Sequence, residues 1–121
     1  MLKVLRILDD DDLYRRIAPY HVKSDGIVSS AAFRTRQNPY AAVSVDLAKL
    51  TSPQETLSRA RQPGFGVGSL VARVPRSLGL TVEHNPCPNN IAHSLIKGQN
   101  TKSNCRRMAE ATEVIVHPDG T

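Results

Sequence analysis

The chain has 121 residues, 40% of them hydrophobic and only 4% aromatic, with a formal net charge of +5. That length fits one domain able to bury about two-thirds of its unfolded surface, so it needs neither metal nor disulfide in order to fold. No apolar run approaches the ~20 residues of a membrane span. With only Cys87 and Cys105 a disulfide scaffold is not expected, and a reducing cytoplasm is the default setting.

The N-terminus, MLKVLRILDDDD, does not read as a signal peptide, because Lys3 and Arg6 break its apolar run and four aspartates end it. It reads as a loose lead-in. Aspartates ahead of Leu13 and Ile17, spaced i, i+4, suit a helix N-terminus that Pro19 would cut short. The four consecutive aspartates are a poor cation site, since hard cations require oxygens spaced around a shaped loop.

Residues 20–40 read as a long connection, with a turn at Ser24-Asp25-Gly26, a strand starting across residues 26–33 and another turn at Asn38-Pro39. Over residues 41–47, Val43, Val45 and Leu47 alternate with Ser44 and Asp46, the clearest strand of the first half. Ser52-Pro53-Gln54-Glu55 is a capping box with proline at the first helical position, and it opens a helix over 52–62 that Pro63-Gly64 stops. Leu57 and Ala60 are its expected core contacts.

The glycines of GFGVGS at 64–69 have neither dinucleotide-binding nor P-loop spacing, and they read as a turn into a strand. That strand is expected over 70–74, before Pro75. A connector then leads to LTVEHNPCPNNIAHSLIKG at 80–98, an apolar strand, a proline-punctuated elbow and a second strand. A last helix over 101–112 would bury Cys105, Met108, Ala109 and Thr112 at i, i+3, i+4 and i+7. Residues 113–117 form a closing strand and 118–121 a tail. The expected fold is α+β, a single domain over 1–121 with a mostly antiparallel sheet and two helices.

Chemistry is sought first at His93, which in the strand reading shares a face with Ile91 and Leu95 beside the elbow. A histidine placed there suits acid–base work; its structural alternative is an imidazole bonded to backbone. His84, Cys87, His93 and Cys105 are zinc-type ligands, but their spacing matches no common zinc signature. Cys87 lies between two prolines, away from any helix N-terminus that would activate it as a nucleophile. No metal and no cofactor is expected.

Charge supplies the second candidate. Between residues 26 and 109 stand eleven bases, eight of them arginine, against three acids, Asp46, Glu55 and Glu83. Arginine's planar fork suits phosphate and carboxylate groups. Arg59, Arg61, Arg73, Arg76, Arg106 and Arg107 are therefore expected to form a cationic face for an anionic partner: nucleic acid, a nucleotide or an acidic protein. Stacking residues for sequence-specific RNA binding are scarce. The alternative is a small transferase or hydrolase acting on a phosphorylated substrate with His93 as acid/base, and a third class is a partner in a protein complex.

The succession LYRRI, SSAAF, SVDLAKLTSPQETL and NIAHSLIKG resembles a group of small uncharacterised bacterial proteins over most of residues 13–116. The resemblance implies a bacterial, cytoplasmic origin. It brings no functional residue with it.

Overall fold

A computed structural model describes residues 2–35 and 41–118; the Asn38-Pro39 turn, Arg36 and the end of the tail lie outside the described residues. The sheet has six strands, β1 (Asp12–Ile17), β2 (Val43–Leu47), β3 (Gly66–Val71), β4 (Thr81–His84), β5 (His93–Lys97) and β6 (Glu113–Val116). Their order is β4-β5-β2-β1-β3-β6, and every pairing is antiparallel. Three helices accompany them, α1 (Pro53–Ser58), α2 (Arg73–Ser77) and α3 (Lys102–Glu110). The fold is α+β, as the sequence implies. Among the described residues no helix is long and apolar enough to cross a membrane.

The helix expected at Leu13 and Ile17 is instead β1, at the centre of the sheet. A spacing of four fits both helical and strand periods, and as a strand β1 buries Leu13 and Ile17 completely while Tyr14 and Arg16 face the other side. The aspartate run forms the turn before it. Ala72 and Arg73 donate their backbone N–H groups to the carbonyls of Asp11 and Asp9, at 2.9 and 3.0 Å. Those bonds end β3 at Val71, so the strand expected to reach Val74 becomes helix α2. Pro75 is tolerated in its first turn because no helical N–H is needed there. The aspartate carboxylates complete this corner, Asp9 pairing with Arg76, Asp10 with Arg73 and Asp11 with Lys49.

The capping box forms as read: Ser52 Oγ accepts from the Glu55 N–H at 3.1 Å. The helix is shorter than expected, and its buried residue is Thr56 rather than Leu57 or Ala60. Residues 30–33, expected in a strand, are a 3-10 turn capped by the Ser29 side chain, and it inserts Phe33 into the core. In β3, a Cβ at Gly68 would lie 2.5 Å from Thr112 Cγ2, and one at Gly66 2.2 Å from the Val116 carbonyl. The glycine-rich stretch thus lets β3 approach β6 closely at a bulge.

One face of the sheet carries the core. Leu13, Ile17, Val43, Val45, Leu47, Leu70 and Ile96 pack against Phe33 and against Cys105, Met108 and Ala109 of α3, each large side chain contributing about 1.5–3 kcal/mol on burial. The α3 residues are three of the four picked out by the helical period; the helix ends at Glu110, and the fourth, Thr112, follows it half-buried. The opposite face holds the polar residues of β1, β2 and β5, with α1 laid over one end of it.

Candidate functional site

Antiparallel registration brings Tyr14 opposite Asp46 and Asp46 opposite His93, so three residues from β1, β2 and β5 stand in one row. Directly paired residues share a face. Arg16 and Ser44, two residues along their strands, join the same face, and together these side chains line a hollow. Its enclosed volume is about 10 Å³, close to the room needed by one water. A larger ligand would therefore lie across the mouth of the hollow.

Asp46 is the fixed point of the site. It is 3% exposed, and a carboxylate so far from water must be compensated. Its Oδ2 accepts from Thr56 Oγ1 at 2.8 Å and from the Arg59 guanidinium at 2.9 Å, while Oδ1 accepts from Asn90 Nδ2 at 2.9 Å. Thr56 and Arg59 stand three residues apart near the end of α1, the spacing that puts two side chains on one helical face. Arg59 also reaches Thr51 Oγ1 and Glu55. With both oxygens engaged, Asp46 joins α1 to the elbow and is a positioning group rather than an open base.

Asn90 carries that tie into the elbow. Its Oδ1 accepts from the Ala92 N–H at 3.1 Å, and its carbonyl accepts from the His93 N–H at 3.2 Å. The Asn85 N–H closes the loop onto the His93 carbonyl at 2.9 Å. The His93 ring is oriented from the same side. Its Nδ1 lies 2.9 Å from the Asn85 carbonyl oxygen, and a carbonyl can only accept, so Nδ1 carries the proton. The Asn85 amide nitrogen is the looser contact at 3.5 Å. Nε2 is left as the exchanging nitrogen, on a ring that lines the hollow beside Arg16. Among the described residues Arg16 itself makes only a long contact, 3.5 Å from the Thr56 carbonyl.

His84 behaves oppositely. It pairs with Ser94 and so faces the core, where it is 6% exposed. Its Nδ1 accepts from the Leu5 N–H at 2.8 Å and its Nε2 donates to the Ile91 carbonyl at 2.7 Å. His84 and His93 therefore open on opposite faces, and among the described residues no three potential ligands gather as a metal site. Cys87 and Cys105 are free thiols. Cys105 is buried, and burial pushes its thiol pKa up. Ile91, expected beside His93 on a strand, belongs to the elbow and is 50% exposed.

The six arginines singled out by charge are divided. Arg59 is bound to Asp46 on the polar face, and Arg61 follows α1 in an exposed loop. Arg73 and Arg76 lie on α2 against the aspartate run, while Arg106 and Arg107 lie on α3, the former paired with Glu110. Four of the six thus face carboxylates, and α1 stands across the sheet from α3. Arg15, next to Arg16, turns to the core side and bonds the carbonyls of Ala32 and Ser44. Burial, with the neighbouring Arg16, brings its pKa down to about 10.

Asp46, Arg16 and Asn90 were not singled out by the sequence reading. The one signal available for Asp46 was its position, an acid inside an apolar strand and one of three in a basic stretch.

No family model, curated protein or solved structure matches this chain. The reading of its function therefore rests on the geometry of this face.

Proposed function

We propose that the polar face of the sheet is the active surface of a small hydrolase or transferase acting on a phosphorylated substrate. The observation that supports this reading most is the His93 imidazole, fixed through Nδ1 by Asn85 and lining a hollow with the cation of Arg16. In this reading Arg16 offsets the charge of a phosphoryl group lying across the hollow. Nε2 of His93 takes the proton from an attacking water or hydroxyl as the new P–O bond forms. The same nitrogen returns that proton to the leaving oxygen as the ester bond breaks. Tyr14 and Ser44 supply hydroxyls at the edge, and Asp46 keeps the elbow in place. Two free cysteines accord with the bacterial cytoplasmic setting included in the proposal.

The test is turnover of p-nitrophenyl phosphate and a panel of phosphate mono- and diesters. His93→Gln should lower kcat by about 10²–10⁴-fold, and Arg16→Met should act mainly on KM. Absence of turnover across the panel, or a His93→Gln variant as active as wild type, would remove the proposal.

The charge imbalance supports a second reading, a cationic surface meeting nucleic acid, a nucleotide or an acidic protein. It ranks lower because four of the six arginines are paired and the set is split between α1 on one side of the sheet and α2 and α3 on the other. It requires binding at low salt that weakens steeply as salt rises.

A further inference from the structure

A separate cleft lies between the N-terminal segment and the elbow. It has a volume of about 220 Å³ and is lined by Leu2, Lys3, Leu5, Leu50, His84, Pro86 and Ile91. A dry engineered cavity of about 150 Å³ accepts benzene, so this cleft has room for a single ring with a short substituent. We propose that it binds a small amphipathic carboxylate, its ring or branched chain among the leucines and Ile91 and its carboxylate at Lys3.

The way the walls are held together supports this. His84 is the bridge between them, since its Nδ1 takes the Leu5 N–H of one wall and its Nε2 gives its proton to the Ile91 carbonyl of the other. Both ring nitrogens are engaged with backbone, so the imidazole presents only carbon to the cleft. Five aliphatic side chains supply the rest of the lining, and two of them remain wet: Leu2 is 38% and Ile91 50% exposed. Concave apolar surface with one placed polar group is the usual form of a small-molecule site. Lys3, the one lining residue that ends in a charge, adds its stem to an almost wholly apolar wall and carries its cation beyond it, which selects a negatively charged ligand end.

The walls are anchored on rigid parts of the molecule. Ile7 is 3% exposed in the core, and its carbonyl accepts from Arg76 at 2.6 Å, which fixes the N-terminal side. The elbow is fixed by Asn90 on Asp46. The site is independent of the phosphoryl chemistry assigned to the other face, and its test reads binding alone.

3-Phenylpropionate is titrated into the full ¹⁵N-labelled chain, with 3-phenylpropan-1-ol as the neutral counterpart. Saturable shifts are expected at the amides of Leu5, His84 and Ile91, with the carboxylate binding about tenfold tighter than the alcohol. Ile91→Glu, at a half-exposed position that leaves the core intact, should weaken the carboxylate by about tenfold or more. Lys3→Met should bring carboxylate and alcohol to equal affinity. Absence of saturable shifts, shifts scattered away from the cleft, undiminished binding by Ile91→Glu, or equal affinity of the two probes for the wild type would overturn the proposal.

Discussion

His84 and His93 sit on neighbouring strands one residue out of register, so they look out of opposite faces of one sheet. On the core face, His84 meets two backbone groups, the Leu5 N–H and the Ile91 carbonyl, and both of its nitrogens become structural. On the polar face, His93 gives one nitrogen to Asn85, its ring lines the hollow, and no partner for the other nitrogen is found among the described residues. Residue type is the same in both places. The difference lies in how many backbone partners the local chain path brings to the ring, and hence in whether any hydrogen-bonding capacity remains for a ligand.

The same contrast runs across the whole sheet and can be broken from either side. The largest effects belong to the core face and to the buried charge of Asp46 opposite it. Phe33→Ala should cost about 3–5 kcal/mol in chemical denaturation, because the 3-10 turn that carries Phe33 cannot collapse into the space it leaves. Asp46→Ala should cost about 3 kcal/mol, leaving Arg59 and Asn90 without their common acceptor. Asp46→Ala combined with Arg59→Met should recover part of that loss. The intermediate effect is the direct comparison of histidines. His84→Ala orphans the Leu5 N–H and the Ile91 carbonyl and should cost about 1–3 kcal/mol, while His93→Gln should stay within about 0.5 kcal/mol. Equal losses at the two positions would remove the distinction.

The smallest effect is acid sensitivity at the aspartate turn. Burial alone would raise the Asp11 pKa, but the Leu8 N–H and Lys49 outweigh it and hold the value below 3.8. A carboxyl depressed in the folded state stabilises the fold above its unfolded pKa and loses that contribution as pH falls through the folded one. Asp11→Asn should therefore lower stability near neutrality by less than about 1 kcal/mol, leave it little changed in strong acid, and so flatten the acid slope of the stability–pH curve below about pH 4. A curve that keeps its acid slope in the variant would reassign that slope to other carboxyls.

Much of the fold was legible in the sequence because its signals are local. The capping box at Ser52 and Glu55, the alternation over Val43, Val45 and Leu47, and the helical spacing of Cys105, Met108 and Ala109 each span a few residues. Where one spacing served two periods the reading failed, as at Leu13 and Ile17. It failed again where a distant carbonyl decided the outcome, as at Arg73, whose N–H turns to Asp9 across 64 positions. The polar face is assembled from such separations. Asp46 takes its partners from 10, 13 and 44 positions away, and no periodicity in S-V-D-L signals them. His93 was legible as a candidate, while its company of Arg16 and Asp46 depended on the β5-β2-β1 strand order.

The central claim is that His93 keeps a usable nitrogen and His84 does not. Long-range ¹H–¹⁵N NMR of the imidazole rings, with and without a phosphate monoester, tests it most directly. The account predicts the Nδ1–H tautomer at His93 and the Nε2–H tautomer at His84, with the ester moving only the His93 nitrogens. An Nε2–H tautomer at His93, or a His93 ring indifferent to the ester while His84 responds, would contradict it.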